Sequence, residues 1–254
     1  MISELFSLKG KKALVTGASR GLGRAMAIAL AEAGADVACA GSRPGSADET
    51  CEIINAKGRE SWSVYGDLTT TEGVAGLARD TISAAKEIDI LVNNAGTIER
   101  YPAVDYPDEA WNRVLQTNLN SMFYLCRHFG KMMVDRKQGK IINTASLLSF
   151  SGGITVPSYA ASKHAVAGLT KALANEWAAS NIQVNGIAPG YFKTDNTQAL
   201  QDNKVRFAEI SARIPAGRWG DPEDVGGAVV FLSSKASDYV NGHILTVDGG
   251  WMAR

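Results

Sequence analysis

The strongest constraint on the fold is a regular alternation of short apolar segments with longer segments of helical periodicity. Strand patterns cover residues 12–17, 36–41, 61–67, 88–96, 140–146, 182–190 and 243–250, and helical patterns cover 20–33, 46–57, 71–86, 108–133, 157–179, 195–212 and 222–234. This alternation is typical of an α/β fold with a doubly wound parallel sheet and helices on both faces. The strand segments are nearly continuous apolar runs, as burial on both faces requires. Ligands of such sheets bind beyond the carboxyl ends of the strands, so we expect the functional residues there.

The whole chain, residues 1–254, is predicted to form a single domain, because no linker or low-complexity segment interrupts the alternation. Lys plus Arg and Asp plus Glu are equal at 26 each, so no basic excess indicates a nucleic-acid or anionic membrane partner. No apolar run reaches the length of about 18 residues that a membrane span needs, and the first residues lack a signal-peptide pattern.

Three cysteines, Cys39, Cys51 and Cys126, are widely spaced and belong to no zinc or disulfide pattern. Reduced thiols are typical of proteins in a reducing compartment. We therefore expect a cytoplasmic protein without a metal site.

The first predicted strand runs into the sequence TGASRGLG, which supplies Gly17, Gly21 and Gly23. Glycine allows a sharp turn and lets a pyrophosphate approach the backbone, and the following helix offers free N–H groups and a positive dipole end. A strand before the turn and a helix after it complete the context of a dinucleotide-binding turn. The sequence therefore predicts an NAD(P) cofactor.

The end of the second strand bears on the choice between NAD and NADP. An acidic residue there would bind the ribose 2′-hydroxyl of NAD, but the segment reads Ala40-Gly41-Ser42-Arg43 and contains no carboxylate. Arg43, with Arg20 of the glycine turn, could bind a 2′-phosphate through charge-assisted hydrogen bonds. The residues thus slightly favour NADP and leave NAD open.

Two further strand ends carry candidate cofactor contacts. Asp67 follows the third strand and suits the adenine edge, and Asn93-Asn94-Ala95-Gly96 ends the fourth. Asparagine tolerates tight turns, and Gly96 permits close contact with a ribose.

The candidate chemistry lies in Tyr159 and Lys163, which share one face of a predicted helix because they are four positions apart. A lysine beside a phenol favours the phenolate and lowers its pKa from about 10. Ser146 ends the fifth strand, so its hydroxyl lies at the same sheet edge as the glycine turn. Asn118 lies within a predicted helix, where asparagine is unfavourable, and this indicates a role other than packing.

The order and spacing of these segments resemble those of the short-chain dehydrogenase/reductase family over essentially the whole chain. The matching segments are TGASRGLG, Asp67, NNAG, Asn118, Ser146, the Tyr159-x-x-x-Lys163 pair and Pro189-Gly190. The resemblance implies a Rossmann-type domain with three α/β/α layers and a seven-stranded parallel sheet. It also implies a catalytic tetrad of Asn118, Ser146, Tyr159 and Lys163, and a homotetramer.

The resemblance further implies the residues that hold the cofactor: Gly17, Ser19, Arg20, Gly21, Leu22, Gly23, Ser42, Arg43, Asp67, Leu68, Asn94, Ala95, Gly96, Tyr159, Lys163, Pro189, Gly190 and Thr194. In this family's chemistry Tyr159 is expected to donate the proton in reduction and to remove it in oxidation. Lys163 is expected to lower the pKa of the phenol and to hold the nicotinamide ribose. Ser146 would donate a hydrogen bond to the developing oxyanion, and Asn118 would hold a water that links Lys163 to solvent.

The second half of the chain is similar to the sugar-acid branch of the family, and within it to the 2-deoxy-D-gluconate 3-dehydrogenases, also described as 2-keto-3-deoxygluconate dehydrogenases. The similar segments are 140–163, 175–191, 213–220 and 237–254. This similarity implies a hexonate or deoxy-keto-hexonate substrate in a branch usually linked to NAD. Arg100 is the candidate for the substrate carboxylate, and Tyr191 and Asn196 are expected to contact substrate from a mobile lid at 191–212.

Other functions stay open on the sequence alone. A gluconate 5-dehydrogenase, or a 3-ketoacyl or other carbonyl reductase, would keep the chemistry and change the substrate, and TGASRGLG fits these equally well. A dinucleotide-binding protein without turnover is disfavoured, because all four tetrad residues are present.

Overall fold

Seven parallel strands form one sheet in the computed structural model, which describes all 254 residues. The strands are β1 (Lys12–Thr16), β2 (Asp36–Gly41), β3 (Ser61–Tyr65), β4 (Ile90–Asn93), β5 (Gly139–Thr144), β6 (Ile182–Pro189) and β7 (Ile244–Val247). Their spatial order is β3-β2-β1-β4-β5-β6-β7. The winding reverses between β1 and β4, which confirms the predicted doubly wound fold and opens a crevice beyond the carboxyl ends of those strands.

Ten α-helices accompany the strands: α1 (Ile2–Leu5), α2 (Gly21–Glu32), α3 (Asp48–Ala56), α4 (Thr71–Ala85), α5 (Asp108–Leu115), α6 (Ser121–Arg136), α7 (Pro157–Trp177), α8 (Gln198–Asp202), α9 (Lys204–Arg213) and α10 (Gly226–Ser233). A π-helical segment, Gln116–Asn120, joins α5 to α6. No helix combines the length and the hydrophobicity that a bilayer crossing demands.

Two buried clusters fill the space between the sheet and its helices. One lies under α2, α3 and α10 and includes Leu30, Ile54 and Val229. The other lies under α4, α6 and α7 and includes Leu77 and Phe129. Full burial of one such side chain contributes about 1.5–3 kcal/mol. The sheet is thus fixed from both faces, which makes its strand ends a rigid base for functional side chains.

The edge strand β3 does not meet the expectation of burial on both faces. Only Val64 of its five residues is buried, and Tyr65 is 48% exposed. All four residues of β4, in the middle of the sheet, are buried. The expectation is therefore right for the central strands and wrong at this edge, where a strand has one neighbour only.

Two predicted helices are interrupted. The helix predicted at 108–133 stops at Leu115, widens into the π-helical segment and resumes as α6. A π-bulge is a local insertion that leaves the apolar periodicity on either side intact, so the pattern does not show it. The helix predicted at 195–212 is a 3₁₀ turn followed by α8 and α9, and the Asn203 side chain caps α9 by accepting a bond from the backbone N–H of Arg206.

Candidate active site

The glycine turn after β1 adopts a backbone that glycine enters without strain. Gly17 and Gly21 have φ angles of 65° and 54°, in the left-handed region. A Cβ on Gly23 would lie 2.0 Å from the carbonyl oxygen of Gly17. Helix α2 begins directly at Gly21, so its unpaired N–H groups face the space above the turn.

The glycine turn is tied to the NNAG segment after β4. The Thr16 hydroxyl accepts hydrogen bonds from the backbone N–H groups of Asn94, at 2.9 Å, and Ala95, at 3.0 Å. The Asn94 amide donates in return to the Thr16 carbonyl oxygen at 2.9 Å. The two strand ends on either side of the crevice therefore move as one unit.

A cavity of about 1040 Å³ opens beyond these strand ends. Every residue predicted to bind cofactor or substrate lines it, with the exception of Arg43. Of the predicted tetrad, Ser146, Tyr159 and Lys163 line the cavity and Asn118 does not. We call the carboxyl ends of β1, β4 and β5, the glycine turn and the first turns of α7 the floor, and residues 191–213 with 248–252 the outer wall.

Arg43 is the predicted cofactor residue that the structure leaves outside. Its neighbour Ser42 lines the cavity, but Arg43 is exposed and starts a surface turn in which its carbonyl oxygen accepts a bond from the Ser46 N–H. Arg43 therefore does not line the cavity itself, and its contact with the cofactor stays a prediction.

Arg20 does line the cavity, and it bridges to the outer wall. Its Nη1 lies 3.1 Å from Oδ2 of Asp195, and both side chains are about two-thirds exposed, at 68% and 67%. Thr194 also approaches the turn, since its Cγ2 would lie 3.5 Å from a Cβ on Gly21. The outer wall thus leans over the glycine turn at the position where a dinucleotide phosphate would lie.

Tyr159 and Lys163 lie one turn apart on α7, as predicted. The Lys163 Nζ lies 5.6 Å from the centre of the Tyr159 ring. It donates a 2.6 Å hydrogen bond to the carbonyl oxygen of Thr144, the last residue of β5. Lys163 is only 4% exposed, so its ammonium is anchored on the sheet end rather than in solvent.

Burial shifts the pKa values of both Tyr159 and Lys163. Withdrawal from water raises the pKa of Tyr159, while the Ser146 hydroxyl and the charge of Arg100 lower it. Burial also lowers the pKa of Lys163 to about 8. The expectation that Lys163 depresses the pKa of the phenol is wrong for this structure, because desolvation dominates at Tyr159. The phenol is protonated at neutral pH and is a proton donor there.

Ser146 is placed to donate a hydrogen bond into the cavity. Its Oγ accepts the backbone N–H of Leu148 at 3.1 Å, which caps the short 3₁₀ turn after β5. Its hydroxyl also lies within hydrogen-bonding reach of the Tyr159 phenol, whose pKa it lowers, so it can donate to an oxyanion that forms beside Tyr159.

Asn118 is buried behind the floor, inside the π-helical segment. Its Oδ1 accepts the backbone N–H of Thr97 at 2.8 Å, and its Nδ2 donates to the Thr97 carbonyl at 2.9 Å and to the Ser162 hydroxyl at 3.2 Å. The side chain thus bonds to Thr97 and Ser162, and the role of Asn118 in holding a water that links Lys163 to solvent stays a prediction. The clearest effect of Asn118 is to fix the loop after NNAG against α7.

The substrate candidates line the cavity from separate segments of the chain. Arg100 is exposed and pairs with no acid, and its charge acts on Tyr159. Tyr191 packs against Trp219, with ring centres 5.3 Å apart, and against Trp251 at 4.8 Å. Asn196 lines the cavity from the 3₁₀ turn of the outer wall.

Sequence reasoning missed two residues of the outer wall, Arg213 and Trp251, which both line the cavity. The guanidinium of Arg213 lies 4.1 Å from the centre of the Trp251 ring. No local signal joins positions that far apart in the chain. A basic residue in the segment after the sixth strand could have been noted, since such insertions overhang the site.

A nicotinamide dinucleotide fits these residues. The space above Gly17 and Gly23 is one that a side chain would fill, and N–H groups at the start of α2 and the Arg20 guanidinium face it. Asp67 lines the same cavity at the end of β3, where an adenosine would lie. Nowhere in the chain do three or more His, Cys, Asp or Glu side chains cluster as metal ligands would.

Comparisons with known proteins agree with this geometry. The family model described as enoyl-(acyl carrier protein) reductase matches residues 17–252. The 2-dehydro-3-deoxy-D-gluconate 5-dehydrogenase of Bacillus subtilis is 55% identical over 253 residues, which span 100% of this chain and 99% of that protein.

Two solved structures superpose closely. One is described as a 2-deoxy-D-gluconate 3-dehydrogenase from Agrobacterium tumefaciens with bound NADP; it is 51% identical, has a TM-score of 0.92, and the match covers 98% of this chain and 99% of that one. The other is described as an NAD(P)-dependent gluconate 5-dehydrogenase from Beutenbergia cavernae with bound NADP, at 49% identity, a TM-score of 0.95 and coverage of 98% and 100%.

Proposed function

Because the chain belongs to the short-chain dehydrogenase/reductase family, we propose that it is an NAD(P)-dependent oxidoreductase that interconverts a secondary alcohol and a ketone of a sugar acid. The observation that carries the chemistry is the convergence of Ser146, Tyr159 and Lys163 on one cavity, beside a glycine turn shaped for a dinucleotide. When bound, the nicotinamide cofactor supplies or accepts the hydride.

Tyr159 is proposed as the group that moves the proton. In reduction the phenol donates to the alkoxide that forms at the carbonyl carbon, and in oxidation the phenolate removes the proton of the alcohol. Ser146 stabilises the developing negative charge by donating its hydroxyl hydrogen. Lys163, held by the Thr144 carbonyl, places a positive charge behind the phenol and within reach of a cofactor ribose.

The charge of the cavity supports an anionic substrate. Two carboxylates, Asp67 and Asp195, line it, and the basic side chains that line it are Arg20, Arg100, Lys163, Arg206 and Arg213. The similar proteins bear the names of sugar-acid dehydrogenases, and their names differ in the carbon that reacts, C5 in one case and C3 in another. We keep Arg100 as a carboxylate anchor because it faces Tyr159 and has no acidic partner.

NADP is favoured over NAD as the cofactor. No carboxylate ends β2, Arg20 lines the cavity, and two of the similar structures contain NADP. A 2′-phosphate would gain a charge-assisted bond from Arg20 that NAD cannot make.

The test is a panel of hexonates and deoxy-keto-hexonates assayed with NAD and NADP, set against acyl-thioester ketones. We expect turnover of a hexonate or its keto form, with NADP the better cofactor. The second candidate is a ketoacyl reductase, which is supported by the similarity, at 31% identity and a TM-score of 0.93, to a structure described as a 3-oxoacyl-(acyl carrier protein) reductase. Turnover of the thioesters alone would select that candidate and reject the sugar-acid assignment.

We also propose a homotetramer in the cytoplasm. The sheet ends at β7, which has an open edge, and Tyr239 nearby is fully exposed. Large apolar side chains such as Ile154, at 91% exposure, also lie on the surface, where contact with another subunit would bury them. The three cysteines are free thiols, as a reducing compartment requires.

A further inference from the structure

Two of the arginines in the cavity have no acidic partner. Arg20 pairs with Asp195, and Arg206 pairs with Glu209. Arg100 and Arg213 form neither an ion pair nor a side-chain hydrogen bond. A free guanidinium that faces a cavity is a ready binding site for a carboxylate, because its planar fork matches the two oxygens.

Arg213 is held in place by aromatic stacking rather than by an acid. Its guanidinium lies 4.1 Å from the centre of the Trp251 ring, and Trp251 in turn packs at 4.8 Å from Tyr191. A cation over an indole face is stabilised while its N–H groups stay free at the edge. The arginine is therefore oriented with its hydrogen-bonding capacity unused.

The segment that carries Trp251 is fixed to the end of α9. The Asp248 carboxylate accepts the backbone N–H groups of Gly250, at 2.8 Å, and Met252, at 2.9 Å. A Cβ on Gly249 would lie 2.8 Å from Cγ2 of Ile214, so only glycine allows this approach. The two glycines after Asp248 bring Trp251 beneath Arg213, which makes the pair a built feature of the outer wall.

A small cleft of about 220 Å³ extends the main cavity at this pair, and Tyr191, Arg213 and Trp251 line both. Arg206 and Glu209 also line the cleft but pair with each other, so Arg213 is its one unpaired cation, beside two aromatic faces. Aromatic faces suit the C–H surfaces of a sugar chain, and the guanidinium suits its acid group.

The two free arginines differ in their distance from the reacting centre. The charge of Arg100 acts on the Tyr159 phenol, whereas Arg213, on the outer wall, is not among the charges that do. In an extended acyclic acid the carboxylate is C1, so C5 lies four bonds away from it and C3 only two. An arginine close to Tyr159 that binds the carboxylate would place a carbon near the carboxylate, such as C3, beside Tyr159. An arginine farther from Tyr159 would place a more distant carbon, such as C5, there.

We propose that Arg213, stacked on Trp251, is a distal carboxylate anchor that presents C5 of a six-carbon acyclic sugar acid to Tyr159. Arg100 serves acids that react nearer to their carboxylate. This inference rests on the proposed sugar-acid activity and adds the residue that sets which carbon reacts.

The test compares a long acid with a short one. D-Gluconate is the six-carbon probe, 3-hydroxybutyrate is the short acid that reacts near its carboxylate, and the readout is the ratio of their kcat/KM values. Arg213→Gln should lower this ratio about 10- to 100-fold, mainly through the KM for gluconate, since a bond to a charged group is lost. Arg100→Gln should move the ratio in the opposite direction.

Arg206→Gln is the matched control, because it removes a positive charge from the same helix and the same cavity while its own charge is already paired with Glu209. A ratio in Arg213→Gln equal to that in Arg206→Gln would overturn the proposal. Trp251→Leu should lower the ratio less than Arg213→Gln, since it removes the support of the cation and keeps its charge.

A binding experiment separates this inference from the activity on which it rests. D-Gluconate is titrated calorimetrically into Tyr159→Phe protein saturated with NADP, with and without Arg213→Gln. A Kd that weakens about 10- to 100-fold with Arg213→Gln supports the anchor even if the wild type does not oxidise gluconate, which would reject the proposed function alone. An unchanged Kd, or no gluconate binding in any variant, overturns the anchor.

Discussion

The floor and the outer wall of the cavity are built in different ways. On the floor, Lys163 is 4% exposed, its ammonium is bonded to the end of β5, and its carbonyl oxygen accepts the buried Ser149 hydroxyl. On the outer wall, two short helices of 5 and 10 residues carry exposed side chains, and the ion pair of Arg20 with Asp195 is open to water. Exposed ion pairs contribute only about 0–1 kcal/mol.

This difference indicates a division of work. Proton transfer needs reacting atoms held in register, and the floor supplies this through buried backbone bonds. Side chains that can rearrange are able to bind substrate and cofactor, and the exposed side chains of the outer wall are of this kind. Substitutions on the floor should therefore change turnover or stability, whereas substitutions on the wall should change selectivity.

Tyr159→Phe should give the largest effect. The variant keeps the ring and its packing but lacks the hydroxyl group that transfers the proton. We therefore expect kcat to fall by about 100- to 10,000-fold, which corresponds to roughly 3–5 kcal/mol of barrier. Cofactor binding, measured by fluorescence titration with NADPH, should stay close to that of the wild type. Substantial turnover in this variant would remove Tyr159 from the proton transfer and with it the proposed role of the floor.

Gly23→Ala should damage the floor next most. Its new Cβ would lie 2.0 Å from the Gly17 carbonyl oxygen and 2.5 Å from Nδ2 of Asn94, and overpacking of this kind costs about 1–3 kcal/mol. We expect a lower Tm and weaker NADPH binding.

Gly168→Ala is the control for this substitution. Gly168 is an exposed glycine within α7, and a Cβ there meets nothing within 4 Å. The same change should therefore leave cofactor binding alone and stabilise the helix by about 0.5–1 kcal/mol. Equal behaviour of the two alanine variants would show that the glycine turn is not constrained as the structure indicates.

The floor was predictable from the sequence because its signals are local. The spacing of Gly17, Gly21 and Gly23 specifies a turn between a strand and a helix, and four positions on a helix bring Tyr159 and Lys163 to one face. Both spacings can be read from the local sequence without knowledge of the rest of the chain. A doubly wound sheet with its site beyond the carboxyl ends of the strands also follows from the alternation, whereas the strand order comes from the structure.

The outer wall and the electrostatics were not predictable, because they depend on contacts between distant segments. Trp251 and Arg213 are joined only in three dimensions, and Arg43 turns away while its neighbour Ser42 does not. The sequence shows that a lysine lies near Tyr159, but not that both are withdrawn from water. Desolvation reverses the expected direction of the pKa of the phenol.

The buried ammonium of Lys163 gives a pH dependence of stability. Its pKa in the folded protein is about 8, below the ordinary value of 10.5, so between these values the unfolded chain binds more protons. The free energy of unfolding relative to Lys163→Met should therefore be flat below pH 8 and rise by roughly 3 kcal/mol up to pH 10.5. Urea unfolding of both proteins across this range measures it, and a difference that stays flat or falls would show that the ammonium is not desolvated.

Arg20→Ala tests the arginine of the glycine turn that pairs with the outer wall. Arg20 lines the cavity and Arg43 does not, so we expect the preference for NADP over NAD to fall about tenfold in Arg20→Ala, through loss of a charge-assisted bond. Arg43→Ala is the control and should change the preference less than about twofold. The reverse order would mean that the end of β2, not the glycine turn, reads the 2′-phosphate.

Asp195→Asn should give the smallest effect and one of opposite sign. In the free protein the Arg20 guanidinium is shared with the Asp195 carboxylate at 3.1 Å, so the carboxylate competes with any cofactor phosphate for the same cation. Its removal should strengthen NADP binding by about two- to fivefold, the range that an exposed ion pair allows. The gain should shrink at high salt, since the pair is solvent-screened. Glu209→Gln, which frees Arg206 instead, should leave NADP binding as it was. A weaker affinity for NADP in Asp195→Asn would instead make the ion pair a clasp that holds the wall over the bound dinucleotide, and the wall would then share in the rigidity of the floor.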